Sequence, residues 1–394
     1  MTGEFTTDQL EIRAMARDFA AGEIRPHAME WDAARQFDPG VFEKLAELGF
    51  MGMRVPEEYG GLGFDAGTYL LALEELAWGD AAVALSVAIH NGPVTALLLA
   101  NGTDEQRERY LPAMAAGDLL TAFALSEKDA GSDAGGLGCE AVRDADGWVL
   151  SGEKRWVTNG ARAGLVLVFA RTNRSAERGY GIGAFIVDPS AGGYRVTRRE
   201  TTMGLCASET VSVQLDGVRV EADGVVGDPE QGFRYAMEAI DVGRLGIGAQ
   251  AVGIAQAAFE HSVAYALERK QFGRPIAEFG AIQDKIADMA TRIGGARALV
   301  HAGAAAMDSG LRGTGSDSRA AGAASAKLQA SETAFWVADE AVQIFGGYGY
   351  MRDYPVEKLL RDAKGTEIYE GTSEILRFVI AREILNEAAT GHDN

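Results

Sequence analysis

Cysteine, histidine and basic charge are all scarce in this chain of 394 residues. The two cysteines, Cys139 and Cys206, cannot make a disulfide framework, and neither belongs to a CxxC pair. The five histidines (His27, His90, His261, His301 and His392) form no HxxxH or ExxH pattern, so no metal site is expected. Lysine and arginine total 37 against 57 acidic residues, a net charge of −20. A chain so acidic lacks the basic face that phosphate backbones require, and nucleic acid is not an expected partner. The longest uninterrupted apolar run, Ala163 to Ala170, falls far short of the ~20 residues that cross a bilayer, so no membrane partner is expected. Met1-Thr2-Gly3-Glu4 opens acidic, without a basic-then-apolar leader. The expected location is cytoplasmic, with a mature mitochondrial-matrix form as the alternative. No Walker loop, no GxSxG elbow and no GxGxxG after a strand occurs, which leaves a doubly wound nicotinamide-binding fold unsupported.

The composition, 47% hydrophobic and 24% charged, excludes a mostly disordered chain, and the length suggests two to three domains. The first hundred residues have helical periodicity. Thr6 and Gln9 form a capping-box pattern, followed by Ile12, Met15, Ala16, Phe19 and Ile24 at helical spacing. Asp38-Pro39 opens a short helix that Gly49 closes, and a glycine loop, Gly60 to Gly63, follows. Helical patterns then run over Ala66–Trp78, Ala81 to about Leu99, and Asp104–Met114. Near Leu119 the period changes. Asp146-Gly147 predicts a hairpin between Glu140–Arg143 and Trp148–Leu150. Leu165–Ala170, Ile182–Val187, Tyr194–Thr197 and Val211–Leu215 are further strands, with turns at Gly192-Gly193 and Asp216-Gly217. From Gln231 to Glu387 long helical patterns return, broken by a loop at Gly310–Ser318. The fold expected is α+β and multidomain: an N-terminal helical domain (1–118), a small central β-barrel or sandwich (119–229) and a C-terminal four-helix bundle (230–394).

Five segments could carry chemistry, and each also has an ordinary structural meaning. Phe123 to Asp133 leaves a strand into a loop of hydroxyls and glycines, which could hold a cofactor ring or be a plain polar loop. In Trp156-Val157-Thr158-Asn159-Gly160 a flat ring stands two residues from a hydroxyl, or a core tryptophan ends a strand. Arg269 to Gly273 sets a cation near an aromatic, suited to a pyrophosphate with a stacked base or to solvent. Gln343 to Gly349 closes an apolar helix with glycines, as a cap or as a close backbone approach to a ligand. In Ile368 to Glu374, Glu370 stands between an aromatic and a glycine before a new helix that Thr372 or Ser373 could cap.

Together and in this order, the segments resemble the signatures of the acyl-CoA dehydrogenase family over nearly the whole chain. They are A-L-S-E-x-x-A-G-S-D from Ala124, W-V-T-N-G from Trp156, Q-I-F-G-G-Y-G-Y from Gln343 with Arg361-Asp362 downstream, and I-Y-E-G-T-S-E-I from Ile368. Asp241 to Ile247 is most similar to the short-chain, butyryl-type branch. The resemblance implies FAD as cofactor and dehydrogenation of an acyl-CoA thioester to the trans-2-enoyl-CoA. Phe123, Leu125, Ser126, Gly131, Ser132, Trp156, Val157 and Thr158 would meet the flavin side. Arg269, Gln271, Phe272, Gln343, Ile344, Gly346 and Gly347 would serve the adenine-pyrophosphate end of a neighbouring subunit's FAD in a homotetramer. Thr372 and Glu374 also match FAD positions, and Ser132, Asp241, Arg244 and Gly371 match acyl-CoA positions.

Glu370 matches the family's base, which takes the α-proton while the β-hydrogen leaves as hydride to flavin N5. In that family the thioester oxygen is held by the base's own backbone N–H and a flavin ribitol hydroxyl, which the resemblance implies here as well. Some branches place the base at the position of Gly243, where glycine cannot serve. Glu127 and Glu374 are the nearby alternatives. An electron-transfer flavoprotein is the implied electron acceptor. Three departures stand out: Lys128-Asp129 where relatives have proline and a small residue, Gly280 for a glutamine, and Cys206 for an arginine. The rival readings are a same-fold flavin oxidase and a non-catalytic scaffold.

Overall fold

The computed structural model describes residues 5–309 and 318–390. The readings made on Met1–Glu4, on His392 and on all but the last residue of the Gly310–Ser318 loop fall outside these. Seven helices form the N-terminal part: α1 (Thr7–Phe19), α2 (Ala28–Ala34), α3 (Gly40–Glu47), α4 (Ala66–Gly79), α5 (Ala81–Ile89), α6 (Thr95–Asn101) and α7 (Asp104–Ala115). The capping box forms as its residues dictate: Gln9 N donates to Thr6 Oγ1 at 3.2 Å and Thr6 N to Gln9 Oε1 at 3.1 Å. Its apolar stripe buries Ala16 and, beyond the helix, Ala20 and Ile24. The run Ala81–Asn101 corrects one expectation. At 21 residues and a mean hydropathy of 1.6 it is long and apolar enough to span a membrane, but 89% of its most apolar window is buried inside the protein. It is a core helix, interrupted by one wide turn at His90–Val94 that contains Pro93.

The middle part is one eight-stranded sheet. Its strands are β1 (Thr121–Ala124), β2 (Glu140–Asp144), β3 (Gly147–Thr158), β4 (Leu165–Arg171), β5 (Ile182–Val187), β6 (Tyr194–Arg199), β7 (Thr210–Glu221) and β8 (Val225–Val226). The order is β6-β7-β3-β2-β4-β5-β8, with β1 parallel to β4. Among the described residues β6 and β8 are edges, so the small barrel closes by packing rather than by hydrogen bonds. Trp148 on β3 meets Phe185 on β5 at 5.6 Å, over a core that includes Leu150, Val168, Val213 and Leu215. Asp216-Gly217 is not a turn. Val218 pairs with Leu150 and Asp216 with Ser151, so Gly217, at φ 68°, is the extra residue of a β-bulge inside β7.

The C-terminal part holds α8 (Gly232–Glu268), a ribbon of β9 (Lys270–Gln271) and β10 (Arg274–Pro275), α9 (Gly280–Asp308), α10 (Arg319–Phe345), α11 (Val356–Thr366) and α12 (Ser373–Thr390). The bundle is α8, α9, α10 and α12, the last packed through Leu376 and Val379 against Ala324, with the short α11 added on α8 and α10. Gly253 lets α8 approach α4 closely, since a Cβ there would sit 2.3 Å from the Glu74 carbonyl oxygen.

A buried charge cluster ties the three parts together. Lys358 Nζ on α11 lies 2.6 Å from Asp362 Oδ2 and 2.9 Å from Asp80 Oδ2. Asp80 also caps α5, accepting from Ala82 N at 2.7 Å, and Asp362 Oδ1 accepts from Leu205 N in the β6–β7 connection at 2.5 Å. Burial alone would strip the lysine of its proton, but Asp362 and Asp80 hold it charged, well above the usual lysine range. Lys358→Met should therefore destabilise the protein by about 3–5 kcal/mol, because two carboxylates lose their counter-charge in the interior. Denaturant unfolding of the variant checks this.

Candidate active site

Glu370 lies in the short link between α11 and α12 at φ 54°, followed by Gly371 at φ 95°. A glutamate in the left-handed region is strained by roughly 1–2 kcal/mol and persists only where its surroundings over-determine it. Here they do. Tyr369 Oη donates to Gln250 Oε1 on α8 at 2.8 Å, and Ser373 N donates to the Glu367 carbonyl at 3.0 Å. Arg244 Nε of α8 donates to the Glu370 carbonyl at 3.4 Å, and Lys327 Nζ of α10 to the Gly371 carbonyl at 2.7 Å. Thr372 is the cap of α12, accepting from Ile375 N at 3.3 Å.

The turn drives the carboxylate onto α8 above Gly243, where a Cβ would stand 2.9 Å from Oε2. One helical turn further, a Cβ on Gly246 would stand 3.2 Å from Tyr69 Oη of α4. Among the described residues neither Glu370 Oε2 nor Tyr69 Oη has a hydrogen-bond partner, and both atoms are buried. Burial raises Glu370 to about 7, with Asp241 adding to the rise while Arg244 and Lys327 oppose it. Asp241 Oδ1 accepts from Arg244 Nη1 at 2.8 Å, and burial raises Asp241 despite that cation.

The two alternative carboxylates are engaged elsewhere. Glu127 Oε1 accepts from Lys154 Nζ at 2.7 Å and Cys139 N at 2.9 Å, and Oε2 accepts from Gly138 N at 2.6 Å. Glu374 is exposed at the start of α12, where backbone N–H and Thr372 hold it below the usual carboxylate range.

The remaining residues singled out from the sequence gather in two further places. Leu125 and Ser126 run beside the end of β3, Leu125 O accepting from Lys154 Nζ at 3.0 Å and Ser126 O from Arg155 N at 2.9 Å. Phe123 packs on Phe169 at 4.8 Å, and Gly131 and Ser132 are exposed. Trp156 is not a core tryptophan: at φ 56° its side chain is turned out, and 55% of the residue is exposed, beside buried Val157 and half-buried Thr158. Lys128 and Asp129 form the tip of a tight turn closed between Glu127 and Ala130.

The other place is a concavity of about 500 Å³, lined by Arg269, Gln271, Ile344, Gly346 and Gly347 together with a Tyr265–Phe345 stack at 4.0 Å. A Cβ on Gly346 or Gly347 meets nothing within 4 Å, so this backbone faces open space. Gln343 and Phe272 are exposed nearby in sequence, Phe272 at 94%. Gly243, within α8, and Arg269, just past its C-terminal end, are 26 residues apart, roughly 39 Å along the helix, so this concavity does not adjoin Glu370 of its own chain. Gly280 opens α9 with open space at its missing Cβ. Cys206 lies 3.6 Å from Arg361 Nη1, which already places a guanidinium where the sequence lacks an arginine.

Lys327, Tyr69 and Gln250 were not singled out from the sequence. Lys327 carried a usable signal, as it interrupts the small-residue stripe Ala323, Ala326, Ala330 and Ala334 of a helix at its apolar face.

The helical–sheet–helical chain thus carries, against α8 of its C-terminal bundle, a half-buried glutamate with one carboxylate oxygen buried and without a hydrogen-bond partner among the described residues. Family models described as the N-terminal, middle and C-terminal domains of acyl-CoA dehydrogenase match residues 6–118, 122–218 and 230–385. An acyl-CoA dehydrogenase of Bacillus subtilis is 44% identical over 96% of this chain and 98% of that protein. The structure of butyryl-CoA dehydrogenase from Megasphaera elsdenii matches with a TM-score of 0.94 at 38% identity, covering 98% of this chain and 100% of that one. A chain solved in work on the electron-transferring flavoprotein of Acidaminococcus fermentans matches with a TM-score of 0.93 at 40% identity, covering 98% and 100%. The chain belongs to the acyl-CoA dehydrogenase family, oxidoreductases acting on CH–CH bonds.

The raised Glu370 has a measurable cost. Below its ordinary value of 4.5 the carboxyl is neutral in both folded and unfolded chains, and above about 7 it is ionised in both, so the buried charge opposes folding fully only there. Between these limits the wild type loses stability as pH rises, by on the order of 3 kcal/mol. Glu370→Gln should thus be more stable than wild type at pH 8 and indistinguishable at pH 4, in paired unfolding measurements.

Proposed function

We propose that this chain dehydrogenates a short-chain acyl-CoA thioester to the trans-2-enoyl-CoA, with Glu370 as the base. The observation that carries the reading is its carboxylate oxygen Oε2, buried and without a hydrogen-bond partner among the described residues above Gly243, on a carboxyl raised by burial to about 7. At neutral pH such a group is ionised in a large share of molecules and is basic enough to take a weakly acidic α-proton. Arg244, neutralised by Asp241, fixes the Glu370 carbonyl and orients the turn. Tyr69 close to Gly246 and the Tyr369–Gln250 hydrogen bond set bulky side chains along α8 near the base, which favours a short acyl group. The likeness to butyryl-CoA dehydrogenase supports the same acyl class.

FAD is the cofactor. The outward Trp156, the hydroxyl and glycine loop from Ser126 to Ser132, and the glycine-walled concavity with Arg269 fit a flavin at one end and a pyrophosphate-adenosine at the other. When bound, it supplies the two-electron acceptor for the β-hydrogen. The ~39 Å along α8 between Gly243 and Arg269 supports the homotetramer reading, because the concavity then serves another subunit's cofactor. An electron-transfer flavoprotein is the proposed electron acceptor, supported by the A. fermentans relative, and a cytoplasmic location is supported by bacterial relatives.

The decisive experiment is flavin bleaching by acyl-CoAs of graded chain length under anaerobic conditions. Wild type should bleach fastest with a short acyl group, and Glu370→Gln should keep its FAD and bind acyl-CoA but bleach ~10²–10⁴-fold more slowly. Near wild-type bleaching in Glu370→Gln would sink the assignment. Peroxide formation in air as fast as turnover with an electron-transfer flavoprotein would favour the oxidase reading.

A further inference from the structure

Among the described residues three lysines are buried: Lys154, Lys327 and Lys358. A buried ammonium is costly unless it is paired, and two of them are, Lys154 with Glu127 and Lys358 with Asp80 and Asp362. Lys327, with none of its surface exposed, differs. Among the described residues no carboxylate lies within 4 Å of its ammonium, and its hydrogen bond goes to a neutral acceptor, the Gly371 carbonyl at 2.7 Å. Packing alone would be met better by methionine or leucine.

The position of that bond is informative. Gly371 directly follows Glu370, and both residues stand in the left-handed region. The carbonyls of these two residues are held by cations from two different helices, Arg244 on α8 and Lys327 on α10. Arg244 is balanced by Asp241 at 2.8 Å, whereas Lys327 brings a positive charge with no such partner. The titratable and charged groups facing the base are Asp241 and Arg244 from α8, Lys327 from α10, Tyr69 from α4 and Tyr369 in the link, while Glu367 and Glu374 act on Lys327.

We propose that Lys327 is a positioning residue for proton abstraction: through the Gly371 carbonyl it holds the turn that aims Glu370, and it sets an unbalanced positive charge beside that carboxylate. Burial lowers Lys327 to about 7, and Glu370 is the strongest group opposing that fall, with Glu367 and Glu374 assisting and Arg244 working the other way. Lysine and base therefore each favour the charged form of the other. A lysine that only braced the backbone would leave the pH at which the base ionises unchanged.

This inference rests on Glu370 being the base, so Glu370→Gln is run alongside. The measurement is single-turnover flavin bleaching of the holoenzyme by an acyl-CoA from pH 6 to 9, with FAD content and acyl-CoA affinity as controls. Lys327→Met should retain both controls. Its bleaching rate should fall ~10-fold or more at neutral pH, and the pH midpoint of the rate should move upward, since a unit's rise leaves ~10-fold less ionised base below the midpoint. Lys327→Arg should return the midpoint toward the wild-type value and the rate to within a few-fold. Should Lys327→Met not accumulate as holoprotein, Lys327→Gln, which is uncharged but can still donate, must show the same upward midpoint. An unmoved midpoint in the neutral variant overturns the proposal, as does a rate loss no greater than its loss of FAD. If instead Glu370→Gln bleaches like wild type, the base reading itself is at fault.

Discussion

Residue 243 has no side chain, and the position of the Glu370 carboxylate depends on it. A single methyl group there would lie 2.9 Å from Oε2, well inside contact distance, and would push the acid off the helix. Three further elements converge on the same notch. The Gly253 crossing brings α4 with Tyr69 onto α8, α10 brings Lys327, and the α11–α12 link brings Glu370 in a backbone conformation that glutamate resists. The buried Lys358 cluster fixes α11 against both α5 and the sheet, so the strained link leaves from a rigid support.

The local charges follow from this geometry. Glu370 and Asp241 are acidic and half-buried, Arg244 and Lys327 basic and buried. Two of them form a close ion pair at 2.8 Å, which leaves an acid and a base separated by a turn of backbone rather than touching. A direct pair would have pinned Glu370 as a low-affinity carboxylate. Separation through the Gly371 carbonyl leaves it partly desolvated and able to bind a proton near neutrality. Stability is given up at Glu370, the proposed base.

Much of this was legible in the sequence, and the exceptions have physical causes. The capping box, the Asp146-Gly147 hairpin and the long apolar periods are local signals, and each formed where its residues dictated. β3 runs well past Leu150 to Thr158 because its polar Glu153-Lys154-Arg155 stretch is satisfied by partners distant in sequence, such as Glu127 and Glu200. Asp216-Gly217 has turn chemistry, but its strand continues on both sides, so only pairing with β3 tells a bulge from a turn. The helix from Ala81 was legible, but its apolar length was masked because Ser86, His90 and Asn91 interrupt it, and all three are buried in the fold. Within the site, Glu370 was marked by its motif, while Lys327, Tyr69 and Gln250 act through contacts 43, 301 and 120 residues away from it in sequence and are visible only once helices cross.

The account makes the base a point in space above α8 rather than a residue number. Glu370→Gly combined with Gly243→Glu moves a carboxylate to that point from the opposite side and gives glycine to the left-handed position. Anaerobic flavin bleaching by a short-chain acyl-CoA, in the double variant and in Glu370→Gly alone, tests this most directly. The account predicts that the single variant is silent and that the second substitution restores measurable bleaching. Wild-type bleaching in Glu370→Gly alone, or a double variant as silent as the single one with FAD and acyl-CoA both bound, would contradict it.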